Sequence, residues 1–212
     1  MQRTGLAAVV KAPVRRMRKL AVTRHNKLVF ESGDAPKVVI GAGHTKYPGW
    51  ISTDIDTLDL LDPGDWDKQF TRGTIAALLA EHVWEHIDPE LGKQALRHCF
   101  DYLRPGGYIR IAVPDGFHPD PAYIRYVEPG GTGPGADDHK ILYNHEIMDE
   151  VLRGIGFDVS KLEYFDRDGT FHAAMWKSGD GVVKRSACND SRNIGANYAY
   201  TSLIVDGIKP TE

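Results

Sequence analysis

A run of β-branched residues that ends in two glycines constrains this chain more than any other stretch. Residues 38–40 read Val-Val-Ile, and Gly-Ala-Gly follows at once at 41–43. Apolar runs this short and this rich in Val and Ile are typical of strands buried on both faces of a parallel sheet. Glycines directly after such a strand let the backbone approach a ligand closely. The stretch therefore predicts a buried strand whose carboxyl end faces a ligand.

A second short strand is predicted at 50–53, and it ends at Asp54. A carboxylate in this position can accept hydrogen bonds from the hydroxyl groups of a ribose. One interpretation is a nucleoside-bearing cofactor across the two strand ends, and the other is an ordinary glycine turn beside a surface Asp. The link from Gly43 to Asp54 contains Pro48-Gly49. It is shorter than most crossovers between parallel strands, which take a dozen or more residues.

Strands and helices alternate along the rest of the chain. Further strands are predicted at 57–62, 74–80, 108–113, 157–165 and 200–206, and helices at 89–103 and 144–154. This alternation predicts an α/β domain of three layers around a mainly parallel sheet. The late strands follow one another with little helix between them, which favours an antiparallel edge strand. Since ligands bind beyond the carboxyl ends of such strands, residues 41–43, Asp54 and 80–82 all point to one site.

Length and charge restrict the classes of protein. The 212 residues suffice for one domain, and the net charge of −3 argues against a dedicated nucleic-acid-binding protein. No apolar run reaches the roughly 20 residues of a membrane-spanning helix. Cys99 and Cys188 match no metal or redox spacing, which favours a reducing cytoplasm. We expect a basic arm or helix over 1–30 and one domain over 31–212, with a lid loop at 116–140 and a β-hairpin at 170–186.

The segment from His82 to His86 matches the H-x-x-E-H pattern of inverted zinc peptidases. Its context argues against that function, because the segment follows a buried strand, Pro89 interrupts it within a turn, and no third ligand follows at the family spacing. We therefore expect no metal here. The simpler interpretation puts Glu81 and His82 beside a cofactor, while Trp84 packs inward.

The chain resembles the class I S-adenosylmethionine-dependent methyltransferases over roughly residues 37–208. Four segments carry the resemblance: Val-Ile-Gly-Ala-Gly, Gly-Trp-Ile-Ser-Thr-Asp, Ala-Glu-His-Val-Trp-Glu-His and Leu-Arg-Pro-Gly-Gly-Tyr-Ile-Arg-Ile-Ala-Val-Pro-Asp. The chain is most similar to small bacterial members, some of them linked to surface-polysaccharide pathways. The resemblance implies a Rossmann-like, seven-stranded sheet with an antiparallel last strand, and S-adenosylmethionine as the cofactor.

The resemblance also implies a set of cofactor-binding positions. Those expected against the methionine, ribose and adenine are Gly41, Ala42, Gly43, Asp54, Ile55, Leu60, Leu61, Glu81 and His82. Two positions depart from the family pattern. Val39 stands where an acidic residue is usual, and Thr45 stands where a third glycine is usual. A family member with lost or altered activity is therefore one alternative.

Methyl transfer to a hydroxyl or a protonated amine needs a base that removes a proton from the acceptor. His82, Asp115 and His139 are the catalytic candidates, since Asp115 follows a core strand and His139 lies on the expected lid. Each has an alternative role as a turn-stabilising or exposed side chain. Further candidates are His118, Asp120, Asp138 and His145.

The leading hypothesis is a cytoplasmic methyltransferase that acts on a small molecule or a glycan precursor. The alternatives are a non-catalytic cofactor-binding or scaffold protein of the same fold and a NAD-dependent oxidoreductase, which usually has a third glycine at a helix start. We expect no nucleic-acid partner and no integral membrane segment, and a homodimer is left open. Residues 171–177 and 182–186 would form either a wall of the acceptor pocket or a dimer edge.

Overall fold

The computed structural model describes residues 33–43, 45–195 and 198–212. Within these residues the strands are β1 (Lys37–Ile40), β2 (Ile51–Ser52), β3 (Ile75–Glu81), β4 (Leu103–Pro114), β5 (Asp158–Phe165), β6 (Phe171–Ala173) and β7 (Ser202–Ile208). The α-helices described are α1 (Pro63–Gln69), α2 (Pro89–Tyr102), α3 (Pro121–Val127) and α4 (His145–Ile155). The expected basic arm over 1–30 lies outside the described residues. Among the helices described, none is both long and apolar enough to cross a membrane.

All seven strands join one sheet, in the order β2-β1-β3-β4-β7-β5-β6. β1 pairs in parallel with β2 and β3, and β3 pairs in parallel with β4. β7 is antiparallel to both β4 and β5, and β6 is antiparallel to β5. Strands β1 to β5 therefore share one direction. The prediction of a mainly parallel seven-stranded sheet with an antiparallel last strand is confirmed.

The prediction of a strand at 57–62 is wrong, since these residues form turns and no strand. The carboxylate of Asp59 accepts the N–H of Leu61, and that of Asp62 accepts the N–H of Gly64. Such bonds from an Asp to its own backbone two residues on compete with strand pairing. Asp62 thereby caps the amino end of α1.

The hairpin predicted between 171–177 and 182–185 is also wrong. β6 pairs instead with β5, across the turn at 166–169, and residues 182–185 belong to no strand. The Asp166 carboxylate accepts the N–H groups of Asp168 and Thr170, both over 2.9 Å. These bonds close the turn so that the chain returns directly onto β5.

Helices α2 and α4 form a layer on one face of the sheet. They begin where predicted, because Asp88 and Asn144 accept backbone N–H bonds at the two amino ends. Leu96 and Cys99 on the inward side of α2 are fully buried. Among residues 33–212 that the structure describes, the opposite face is covered by segments without an α-helix, which contribute Trp50, Trp176 and Val183. The sheet is thus the middle layer of three.

A buried ion pair attaches the segment around residue 181 to the second face. Arg110 on β4 is 3% exposed and donates from Nε and Nη2 to the two carboxylate oxygens of Asp206 on β7, each over 2.8 Å. Its Nη1 donates to the carbonyl of Gly181 over 2.9 Å. An unpaired buried charge is costly, so this network keeps residue 181, and the chain that follows it, against the sheet.

The predicted lid at 116–140 is partly helical. Asp120 accepts the N–H of Ala122 over 2.7 Å and caps α3. A short 3₁₀ helix follows at Ala136–Asp138. The Gly and Pro residues that indicated a loop stand at the first turn of α3 and between the two helices, where each suits a turn.

Candidate functional site

The carboxyl ends of three adjacent strands meet at one edge of the sheet. β1 lies between β2 and β3, and all three run in the same direction. The Gly43 N–H donates to Asp54 Oδ2 over 3.1 Å, so these predicted cofactor positions are in contact. Glu81 ends β3 one residue after Ala80, which pairs with Ile40. The structure thus brings Gly43, Asp54 and Glu81 to the same edge, which we call the rim.

The glycine turn of the rim needs glycine for two reasons. Gly41 and Gly43 both have left-handed backbone, with φ of +59° and +54°. A Cβ on Gly41 would lie 2.5 Å from Cγ2 of Val83, whereas a Cβ on Gly43 would meet no atom within 4 Å. Ala42 between them is buried. The space over Gly43 is therefore open to a ligand.

Asp54 is exposed beside this space. Its Oδ1 accepts the N–H of Ile55 over 2.8 Å, while Oδ2 accepts that of Gly43. A carboxylate offers about four acceptor sites, so two remain for the hydroxyls of a diol. The Ile55 side chain is 68% exposed, but Leu60 is buried in the core, with Leu61 packed against that core. Asp54 and Ile55 can reach a ligand at the rim, whereas Leu60 packs inward.

A cleft of about 560 Å³ adjoins the rim at Glu81 and His82. One wall consists of residues 126–127, 133–134, 136 and 139, all within the predicted lid. The other wall includes Lys184, Arg185 and Arg192. Residues 184–185 belong to the segment predicted to wall a pocket, whereas none of 171–177 lines the cleft.

The second wall makes the cleft positive. Lys184 Nζ donates to Thr45 Oγ1 over 2.7 Å, a neutral partner that leaves the charge uncompensated. The guanidinium of Arg192 pairs with Asp190 and lies 3.4 Å from the centre of the Tyr200 ring. Arg185 is exposed, and its guanidinium has no hydrogen-bond or ion-pair partner among the described residues. An anion in the cleft would meet this free donor group.

His82 stands between a carboxylate and a hydroxyl. Its Nδ1 lies 2.8 Å from Glu85 Oε1, and its Nε2 lies 3.1 Å from Ser202 Oγ. The backbone of His82 is left-handed, with φ of 55°. This conformation costs of the order of 1–3 kcal/mol in a non-glycine residue and is found most often at functional sites. The contacts hold the imidazole at the edge of the cleft.

The other two catalytic candidates lie in different environments. His139 lines the cleft, and its Nδ1 lies 2.7 Å from the Val127 carbonyl. Asp115 is fully buried, with its two oxygens accepting the N–H groups of Phe117 and Phe165 over 2.9 and 2.8 Å. It does not line the cleft. The geometry gives Asp115 a structural role, tying the end of β4 to the end of β5.

Sequence reasoning missed Arg192 and the aromatic residues Tyr126 and Tyr200. Tyr126 lies on α3, within the stretch interpreted as a loop. Arg192 and Tyr200 come from the polar segment before β7, where no periodicity marks a lining residue. Only the return of that segment over the strand ends brings them to the cleft.

Asp115 gives the stability of the protein a defined pH dependence. Burial raises the pKa of Asp115 from 3.8 to about 6. The folded state then binds this proton more tightly than the unfolded state, so the stabilising contribution is present at low pH and is lost as pH rises through about 4 to 6. A shift of this size corresponds to roughly 3 kcal/mol. Chemical denaturation between about pH 4 and pH 6 measures the free energy of unfolding. In Asp115→Asn this free energy should decrease less steeply with pH than in wild type, while Asp168→Asn should keep the wild-type slope. Parallel curves for Asp115→Asn and wild type would contradict the assignment.

Comparison with known proteins identifies the fold. The sequence matches no family model and no curated protein. Among solved structures, it matches a SAM-dependent methyltransferase from Archaeoglobus fulgidus at a TM-score of 0.50 and 18% identity, covering 97% of this chain and 100% of that one. It also matches a SAM-dependent methyltransferase from Thermotoga maritima, described as a possible histamine N-methyltransferase, at a TM-score of 0.50 and 13% identity, covering 94% and 97% of the two chains. The chain therefore has the fold of the class I S-adenosylmethionine-dependent methyltransferases.

Proposed function

We propose that this protein is an S-adenosylmethionine-dependent methyltransferase whose acceptor is a small anionic molecule or an anionic glycan precursor. The observation that carries the proposal is the rim, where an open glycine turn touches an exposed carboxylate at the end of the next strand. The fold supports it, since ligands of such sheets bind beyond the carboxyl ends of the strands.

The rim residues fit the cofactor. Asp54 keeps two acceptor sites for the ribose hydroxyls, and the open space over Gly43 lets the backbone lie against the ligand. Glu81, at the junction with the cleft, would border the methionine end. The departure at Thr45 has a physical explanation, because its hydroxyl accepts a bond from Lys184 and so attaches the second cleft wall to the glycine turn.

The chemistry divides between the cofactor and the chain. The cofactor, when bound, would supply a methyl group on a sulfonium sulfur, and the thioether is the leaving group when the acceptor takes the methyl group. The chain positions the acceptor and excludes water. Lys184 and Arg185, the two cations of this wall without an ion-pair partner among the described residues, outnumber the Glu81 carboxylate and favour a carboxylate or phosphate on the acceptor.

His82 is the base that the contacts favour. The Glu85 carboxylate contacts the ring at Nδ1, so Nε2 is the nitrogen that would accept a proton. The Ser202 hydroxyl at 3.1 Å from Nε2 is able to relay that proton from the cleft. His82 lines the cleft, whereas Asp115 does not.

Cofactor binding tests the rim directly. Asp54→Ala should weaken binding of S-adenosylhomocysteine by about 10²–10⁴-fold, because it removes two charge-assisted hydrogen bonds to the ribose, each contributing about 1.5–3 kcal/mol. Isothermal titration calorimetry measures the affinity. Asp168→Ala, which removes an exposed carboxylate from the turn at 166–169, is the matched control and should bind as wild type does. If wild type responds to NADH and not to S-adenosylhomocysteine, the function is that of an oxidoreductase.

Acceptor charge tests the cleft. A panel of sugars and small metabolites, each paired with its carboxylated or phosphorylated form, should be methylated preferentially in the anionic form. Arg185→Gln should raise the KM for that form roughly tenfold with little change in kcat, since a hydrogen bond to a charged group contributes about 1.5–3 kcal/mol. Arg153→Gln, on the exposed side of α4 and paired there with Asp149, is the control. Equal rates on neutral and anionic partners would refute the acceptor class.

Removal of the imidazole tests the base. His82→Asn should lower kcat by about 10²–10⁴-fold with little change in the affinity for S-adenosylhomocysteine, because it removes the group that would accept the proton of the acceptor. Asn suits this position since it tolerates left-handed backbone. Binding of S-adenosylhomocysteine shows whether the site survives, and His172→Asn in β6 serves as the control. An unchanged kcat in His82→Asn assigns the base elsewhere.

A non-catalytic protein of the same fold is the second candidate. Residues 45–50 contain no helix, although a helix after the first strand usually faces the cofactor in this fold. This candidate predicts binding of S-adenosylhomocysteine without methyl transfer to any member of the acceptor panel. Turnover on any member excludes it.

A further inference from the structure

Three side chains with metal-binding atoms meet at the wall of the cleft. One ligand atom from each of Glu85, His86 and His139 lies within 4.8 Å of the other two. Glu85 and His86 belong to the 3₁₀ helix Trp84–His86, and His139 follows the 3₁₀ helix Ala136–Asp138. His86 and His139 both line the cleft. The cluster thus brings the 3₁₀ helix Trp84–His86 together with the predicted lid.

Glu85 is buried, and its carboxylate lacks hydrogen-bond donors. It is 1% exposed, and neither carboxylate oxygen has a hydrogen-bond donor among the described residues. Oε1 lies 2.8 Å from His82 Nδ1, a close electrostatic contact without the alignment of a hydrogen bond. No electrostatic contact of this kind is described for Oε2. Buried charged groups in proteins are paired or coordinate metals, and the contact of Oε1 with His82 leaves Oε2 without a partner, as a metal ligand would be before the metal binds.

The two histidines are oriented as metal ligands are. His139 Nδ1 lies 2.7 Å from the carbonyl of Val127, and His86 Nδ1 lies 3.4 Å from the carboxylate of Asp138. Both contacts involve Nδ1, so Nε2 is the nitrogen of each ring that remains for a metal. Histidines that bind metals almost always donate their second N–H to a carbonyl or a carboxylate in this way. The rings approach edge to face, with centres 4.7 Å apart.

We propose that Glu85, His86 and His139 bind a divalent transition metal of the zinc class at the wall of the cleft. Two imidazoles and one carboxylate are a common ligand set for zinc that keeps a fourth position open. The sequence pattern from His82 to His86 indicated a different set. His82 faces Ser202 and Glu85 instead, and the third ligand comes from the distant lid segment.

A metal here has two consequences for the cleft. It links residues 84–86 to 136–139 and so fixes the lid wall. Its open position faces a cleft that is already positive, where it would take an oxygen of an anionic ligand. Metal binding can be measured apart from methyl transfer, because the ligands are separate from the cofactor positions Gly43 and Asp54. Glu85 also contacts the proposed base His82, so the two proposals share that one carboxylate.

Cobalt substitution tests the site. The full-length protein, freed of metal by dialysis against a chelator, is titrated with Co²⁺ and followed by visible ligand-field absorption, then with Zn²⁺ as competitor. Wild type should bind one Co²⁺ per chain with an intense band typical of low coordination number, and Zn²⁺ should abolish that band. His139→Gln and Glu85→Gln should each weaken binding by at least about 100-fold, at or above the effect of removing an outer-shell partner.

His98→Gln is the matched control. His98 is also partly buried, with Nδ1 2.7 Å from a backbone carbonyl, that of Leu60, but it lies outside the cluster. This variant should keep the cobalt band. Circular dichroism and thermal melting establish folding, and His139→Gln, on a partly exposed residue, gives a folded test if the buried Glu85→Gln does not fold.

The outcomes separate this proposal from the proposed function. No band in wild type, or an unchanged band in His139→Gln, overturns the metal site even where S-adenosylhomocysteine binds. A band that depends on His139 and Glu85 supports the site even where S-adenosylhomocysteine does not bind.

Discussion

The common direction of β1, β2 and β3 is the constraint on which the candidate site depends. Side-by-side parallel strands end at one edge, so residues that follow them in separate parts of the sequence become neighbours. The contact between the Gly43 N–H and the Asp54 carboxylate is the direct result. The backbone amides at such an edge are not all used by the sheet, and a polar ligand can take them.

The cleft depends on a second set of contacts, on the face of the sheet that α2 and α4 do not cover. The pairing of Arg110 with Asp206 holds Gly181 against the strands, and the following residues then run along the rim. Lys184 and Arg185 enter the cleft from this segment, while α3 and the lid close the other wall. The buried ion pair between β4 and β7 therefore helps to position the segment that brings Lys184 and Arg185 to the cleft.

Local chemistry explains which elements were predictable. Helices α2 and α4 follow from Asp88, Asn144 and the period of their apolar residues, all of which act within a few residues of one another. The strand at 57–62 failed because its apolar pattern competed with Asp side chains that bond their own backbone. The hairpin failed because β6 pairs with β5, and partner choice between strands is a long-range matter that composition does not specify.

The α/β class, the mainly parallel sheet and the glycine and Asp positions of the rim could all be predicted from the residues alone. These follow from patterns that each strand carries in its own residues and from the rule that ligands bind at carboxyl ends. The tertiary structure alone decided that Asp115 is buried between two backbone amides, that Arg192 and Tyr200 enter the cleft, and that Glu85, His86 and His139 meet. Those contacts join segments far apart in the chain, so they exist only once the packing of loops over the sheet has fixed their distances.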